Sequence, residues 1–110
     1  MINIRIFRNK NKDIVGFETI GHADYAKPGD DIVCSAVSIL MINTINAIDK
    51  FTSDKVTLED NQELGIIKFG IKGQPSNDAR LLLNTMILGL DDMDNNNEYS
   101  KYIELNFEEV

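Results

Sequence analysis

Asp31-Ile-Val-Cys34-Ser-Ala-Val-Ser38-Ile-Leu-Met41 opens the stretch whose reading decides the fold. From Ile32 to about Phe51 the apolar pattern runs too long for a strand and recurs at helical spacing. Ile32, Ala36, Ile39 and Leu40 share one face of such a helix, and Val33, Val37 and Met41 broaden it. So wide an apolar surface predicts a helix packed centrally rather than lying on the outside.

Working outward, Ile2, Ile4 and Ile6 alternate with Asn3, Arg5 and Phe7, the pattern of a strand with one buried face. Asn9 to Lys12 is a polar turn, and Ile14 to Ile20 is the returning strand of a hairpin. Residues 21–30 form a loop punctuated by Pro28 and Gly29. Beyond the helix, Lys55–Glu59 and Leu64–Ile71 predict a second hairpin around Asp60 to Glu63. Gly73-Gln-Pro75 breaks the pattern, and Ser76 or Asn77 caps a helix carrying Ala79, Leu82, Leu83, Met86, Ile87 and Leu90 at spacings of three and four. A polar loop over Asp91–Asn97 precedes a last strand from Tyr99 to Phe107. The order ββαββαβ predicts an α+β fold, a mixed or antiparallel sheet packed with two helices, and residues 1–110 as a single domain.

Hydrophobic residues make up 43 % of the 110, enough for one ordinary core. The alternating start differs from the apolar run of a signal peptide, and no segment is read as approaching the roughly 20 apolar residues that cross a membrane. One cysteine forms no internal disulfide, which leaves no sign of an oxidising compartment. The expectation is a cytoplasmic protein with no membrane partner. The net charge of −7 is uneven: residues 1–55 carry seven Lys/Arg and seven Asp/Glu, residues 56–110 four and eleven. That acidic half repels nucleic acid and attracts a basic protein or peptide, although acidic surfaces also serve simply to keep small proteins dispersed.

Chemistry concentrates where the sole histidine and the sole cysteine stand twelve positions apart, at His22 and Cys34. A thiol at a helix N-terminus meets unpaired N–H groups and the positive end of the dipole, which favour thiolate, and a histidine beside it can carry its proton. The plain alternative is an inert, buried cysteine and a surface histidine. Gly21 supplies backbone freedom and room for a substrate to approach. Asp31 reads either as the helix N-cap, placing Cys34 third in the helix, or as a group orienting His22. Ser38, one turn after Cys34, is a supporting hydrogen-bonding group. One His and one Cys with adjacent aspartates lack the ligand spacing of zinc sites, so no metal and no cofactor is expected. Asp91–Glu98 lacks the glycine and terminal glutamate of a calcium loop, and no glycine-rich phosphate cradle exists.

Gly21-His22-Ala23, Gly29-x-Asp31-Ile-Val-Cys34 and Ala36-Val37-Ser38 together resemble the ribosomal-processing cysteine protease family Prp, and chain length and element order fit across nearly the whole protein. The resemblance implies a bacterial endopeptidase that removes a short N-terminal extension from a basic large-subunit ribosomal protein, the one numbered twenty-seven. It maps the catalytic dyad onto His22 and Cys34 and a neighbouring aspartate onto Asp31. It also implies a homodimer and a mobile loop over about residues 23–30. An apolar groove over the sheet is expected to select hydrophobic residues near the scissile bond. Without the resemblance, a non-catalytic ribosome-assembly binding module and a thiol redox sensor remain open.

Overall fold

Alternation along β1 (Ile2–Arg8) buries Ile2, Ile4 and Ile6 on one side and leaves Asn3 and Arg5 exposed on the other. A computed structural model describes residues 1–21, 30–61 and 63–110, the side chains of Asp30 and Asp31 apart. After β1 come β2 (Ile14–Ile20), α1 (Asp30–Phe51), β3 (Val56–Asn61), β4 (Ile66–Ile71), α2 (Asn77–Asp94), a 3-10 turn (Ser100–Tyr102) and β5 (Ile103–Glu109). The order is ββαββαβ, and the fold is α+β with a mixed sheet, as the sequence pattern predicts. Strands run in the order β3-β4-β2-β1-β5. Only β1 and β5 pair in parallel, with Ile4 beside Leu105 and Ile6 beside Phe107; the other described pairs are antiparallel.

Register determines which side chains share a face. Ile6 stands opposite Phe17, and Phe17 opposite Phe69, so the three project to the side covered by the helices. The two phenyl rings stack with centroids 5.0 Å apart. Val33, Val37, Met41 and Ile48 of α1 and Leu83, Met86 and Leu90 of α2 complete this core, each 1 % exposed or less. Burying one such side chain contributes on the order of 1.5–3 kcal/mol, so the layer is the principal source of stability.

The opposite face is polar and cross-linked by charge. Glu18, 8 % exposed, is paired with Arg5 of the neighbouring strand. The same guanidinium reaches Glu108 through Nε at 2.8 Å, tying β2, β1 and β5 together.

Several sequence expectations are corrected. The buried stripe of α1 is Val33-Val37-Met41, while Ile32 and Ile39 of the expected face are 65 % and 67 % exposed. Apolar residues occur on every side of the helix, and only one stripe of it can meet a single sheet. Ile32–Phe51 also has the length and mean hydropathy, 1.7 over its window, of a membrane-crossing helix, contrary to the expectation that no segment approaches this. Its buried stripe packs on the sheet here, as the core helix of a globular domain does. β3 runs through Asp60 to Asn61, so the hairpin turn falls later than predicted. α2 continues through Asp94, and the last strand begins only at Ile103. In each case pairing or packing extends or displaces an element past the point where polar residues suggest it stops.

Ser76, one of the two predicted caps, accepts the N–H of Ala79 through Oγ at 3.1 Å. Its own backbone N–H donates to Asp54 Oδ2 at 2.9 Å, which ties the link after α1 to the start of α2. Hydrogen bonds from Ser76, its hydroxyl first, hold the Asp54 carboxyl below its ordinary value against an opposing push from burial. Because the folded-state pKa is lowered, this stabilisation is present above the usual carboxylate range and is lost as pH falls through the folded value. Asp54→Ala is therefore expected to cost up to about 1 kcal/mol near neutrality, a modest figure because the group is solvent-screened. Urea unfolding of both proteins should show that difference narrowing from about pH 5 to about pH 3.

Candidate active site

Cys34 heads the core stripe of α1. Cys34, Val37, Met41, Ile45 and Ile48 recur at intervals of three and four, and the latter four are buried against the sheet. Cys34 itself is half-buried at the rim of that core, next to the buried Val33. The packing that anchors Val37 and Met41 thereby fixes the direction of the thiol-bearing residue.

α1 begins at Asp30, one residue before the expected cap. Asp31 therefore lies within the first turn rather than ahead of it, and Cys34 is the fifth helical residue, not the third. Two consequences follow. The N–H of Cys34 has an i−4 carbonyl within the helix, at Asp30, whereas those of residues 30–32 precede the first helical bond. And because helical side chains lean back over the turn N-terminal to their own Cα, the thiol of residue 34 still addresses that first turn and its positive dipole end. Ser38 follows one turn later on the same side and is half-buried as well.

Gly21 ends β2 with φ 153°, a conformation that favours glycine. A Cβ there would stand 2.8 Å from the Met1 carbonyl oxygen and 3.1 Å from Ile2 Cα. The close neighbour of Gly21 is therefore the backbone of the chain's own first residues, a contact that no sequence pattern announces. His22 comes next in the chain, and it lies outside the described residues, as does the loop expected to be mobile, up to residue 29. The side chain of Asp31 lies outside them too; its place inside the helix is not that of the expected N-cap, and the role of orienting His22 is not tested. Among the described residues no group of three or more His, Cys, Asp or Glu comes together as a metal site requires.

A depression of about 380 Å³ is lined by Phe7, Glu18, Thr57, Glu59, Lys68 and Gly70, among others. It lies where the Gly16–Gly70 pair leaves the sheet without side chains. Most of these residues project to the sheet face away from the helices. The depression is polar as well as aromatic and does not include Cys34, so it is not the apolar groove expected beside the scissile bond.

Known proteins resemble this chain along its length. The family model described as cysteine protease Prp matches residues 1–104. The ribosomal processing cysteine protease Prp of Staphylococcus aureus is 29 % identical over 107 residues, covering 97 % of this chain and 99 % of that protein. A crystal structure of the S. aureus protease in complex with a substrate peptide superimposes with a TM-score of 0.90 at 28 % identity, over 98 % of this chain and 100 % of that one. A second, with a covalently linked product peptide, superimposes with a TM-score of 0.85 at 29 % identity over the same shares.

Proposed function

This chain belongs to the cysteine protease Prp family, and we propose that it removes a short N-terminal extension from the large-subunit ribosomal protein numbered twenty-seven, with Cys34 as nucleophile and His22 as general base and acid. The chain is a cysteine protease. The observation that carries the assignment is arithmetic: a protease acting through a thiol has, in this chain, only Cys34 to act through. The S. aureus protein holding a covalently linked product peptide supports a nucleophilic route over a binding module.

In this reading His22 takes the thiol proton, and Cys34 Sγ attacks the scissile carbonyl carbon. The carbonyl oxygen becomes an oxyanion, for which the N–H groups of the first turn of α1 are donors with no helical acceptor of their own. Collapse breaks the C–N bond as His22 returns the proton to the leaving amine. Water then attacks the thioester, its proton passing to His22, and the released acid leaves Cys34 free again. Asp31 and Ser38 support these groups. The enzyme works in the cytoplasm as a homodimer on the N-terminal peptide of a basic ribosomal protein, without nucleic acid. Its net charge of −7 fits that partner.

Mass spectrometry of the full-length ribosomal protein after incubation with this enzyme is expected to show one N-terminal fragment lost. Cys34→Ala should abolish the cleavage, and His22→Ala should lower kcat/KM by about 10²–10⁴-fold. Retained cleavage by Cys34→Ala overturns the assignment. If charge steers the substrate, kcat/KM should fall several-fold between about 50 and about 300 mM salt. A salt-independent value would remove the electrostatic part of the reading.

A further inference from the structure

The strand end that carries the histidine is held from two sides by parts of the chain distant in sequence. The regular pairing of β2 with β4 ends at Ile20 opposite Ile66. One step beyond, the Gly21 N–H donates to the Gly65 carbonyl at 3.2 Å. Gly65 closes the β3–β4 turn with φ 64°, in the left-handed region. That turn is stitched by the Leu64 N–H, which donates to Asn61 Oδ1 at 3.2 Å. On the other side Met1 and Ile2 approach so closely that Gly21 has no space for a side chain.

Resting on the protease reading above, we propose that Gly65 is a positioning residue for His22: its left-handed conformation presents the carbonyl that, with the Met1–Ile2 backbone, clamps Gly21 and so fixes where the histidine joins the sheet. Gly21 is the residue immediately before His22, so holding Gly21 fixes the point from which the chain continues to the histidine. The turn at residues 63–65 has no chemistry of its own. Its contribution is to hold the sheet end steady relative to the core-anchored thiol of α1. Small misplacements of a catalytic group are enough to slow a reaction strongly, which gives the clamp a kinetic consequence.

The test compares Gly65→Val with Gly65→Asn. A β-branched residue is a strong outlier at positive φ, whereas asparagine adopts that region readily. Two readouts are taken on folded protein: cleavage of the ribosomal protein, separated into kcat and KM, and the pH profile of Cys34 alkylation by iodoacetamide. Gly65→Val is expected to lose roughly tenfold or more in kcat with KM little changed, and its alkylation profile should shift towards that of His22→Ala. Gly65→Asn should restore both. If Gly65→Val does not fold, Gly65→Ala, strained in the same sense but less, is judged on the same two readouts. A folded strained variant with the parent's kcat and alkylation profile overturns the inference. If His22→Ala itself leaves cleavage and alkylation unchanged, the dyad falls and the positioning role with it. If His22→Ala changes both and the strained Gly65 variant changes neither, the clamp alone is wrong.

Discussion

One stripe of α1 has to be removed from water, and the rest of the domain is arranged to do so. Val33, Val37, Met41 and Ile48 are covered by Ile4, Ile6 and Phe17 of the two central strands and by α2 at the side. A helix this apolar would associate indiscriminately if left uncovered, and a single hairpin is too narrow to cover it. The second hairpin widens the sheet through β4, whose Phe69 stacks on Phe17, and α2 closes the flank. At their crossing, Gly89 of α2 leaves room for Leu40 of α1, whose side chain would stand 3.1 Å from any added Cβ.

The same constraint governs the chemistry. A thiol intended to react cannot sit in the middle of that stripe, where it would be dry and neutral, nor on the outer face beside Ile32 and Ile39, where nothing would hold it. Position 34 is at the edge of the stripe beside Val33, half-buried, and close to the first turn of the helix. Rigidity comes from the core and polarity from the helix terminus. In the proposed dyad the histidine follows the end of β2 in the chain, so the pair would depend on how firmly that strand end is held against the sheet. Gly21, pressed between Met1 and Gly65, is where that firmness originates.

Much of this was legible in the residues. Alternation at Ile2-Ile4-Ile6 and the three-and-four spacing from Ala79 to Leu90 each admit one regular structure, and both form; of the two candidate caps, Ser76 and Asn77, Ser76 is the one used. The buried side of α1 was not legible, because apolar residues lie all around it, and only the sheet beneath decides that Val37 is inside and Ile39 outside. Polar residues misled at the ends of elements: Asp60 and Asn61 belong to a strand because Ile67 and Ile66 pair with them, and Asp91 to Asp94 complete a helix that Leu90 anchors. For the site, Cys34 and His22 stand out as the only residues of their kind, and the flanking motif led to the family. The clamp around Gly21 had no signal in the sequence beyond the glycine, since its partners come from residues 1 and 65 and contribute backbone atoms.

The parallel pairing of the first and last strands bears on the order in which a ribosome delivers this chain. β1 is made before both helices, yet one of its edges is filled only by residues 103–109, which follow them; the Val110 N–H then closes on the Arg8 carbonyl. Until then both hairpins and both helices exist beside an open strand edge, with Ile2, Ile4 and Ile6 lacking the cover of Ile103 and Leu105. Arg5 likewise waits for Glu108. The sheet is thus completed only once β5 has been made, after both hairpins and both helices.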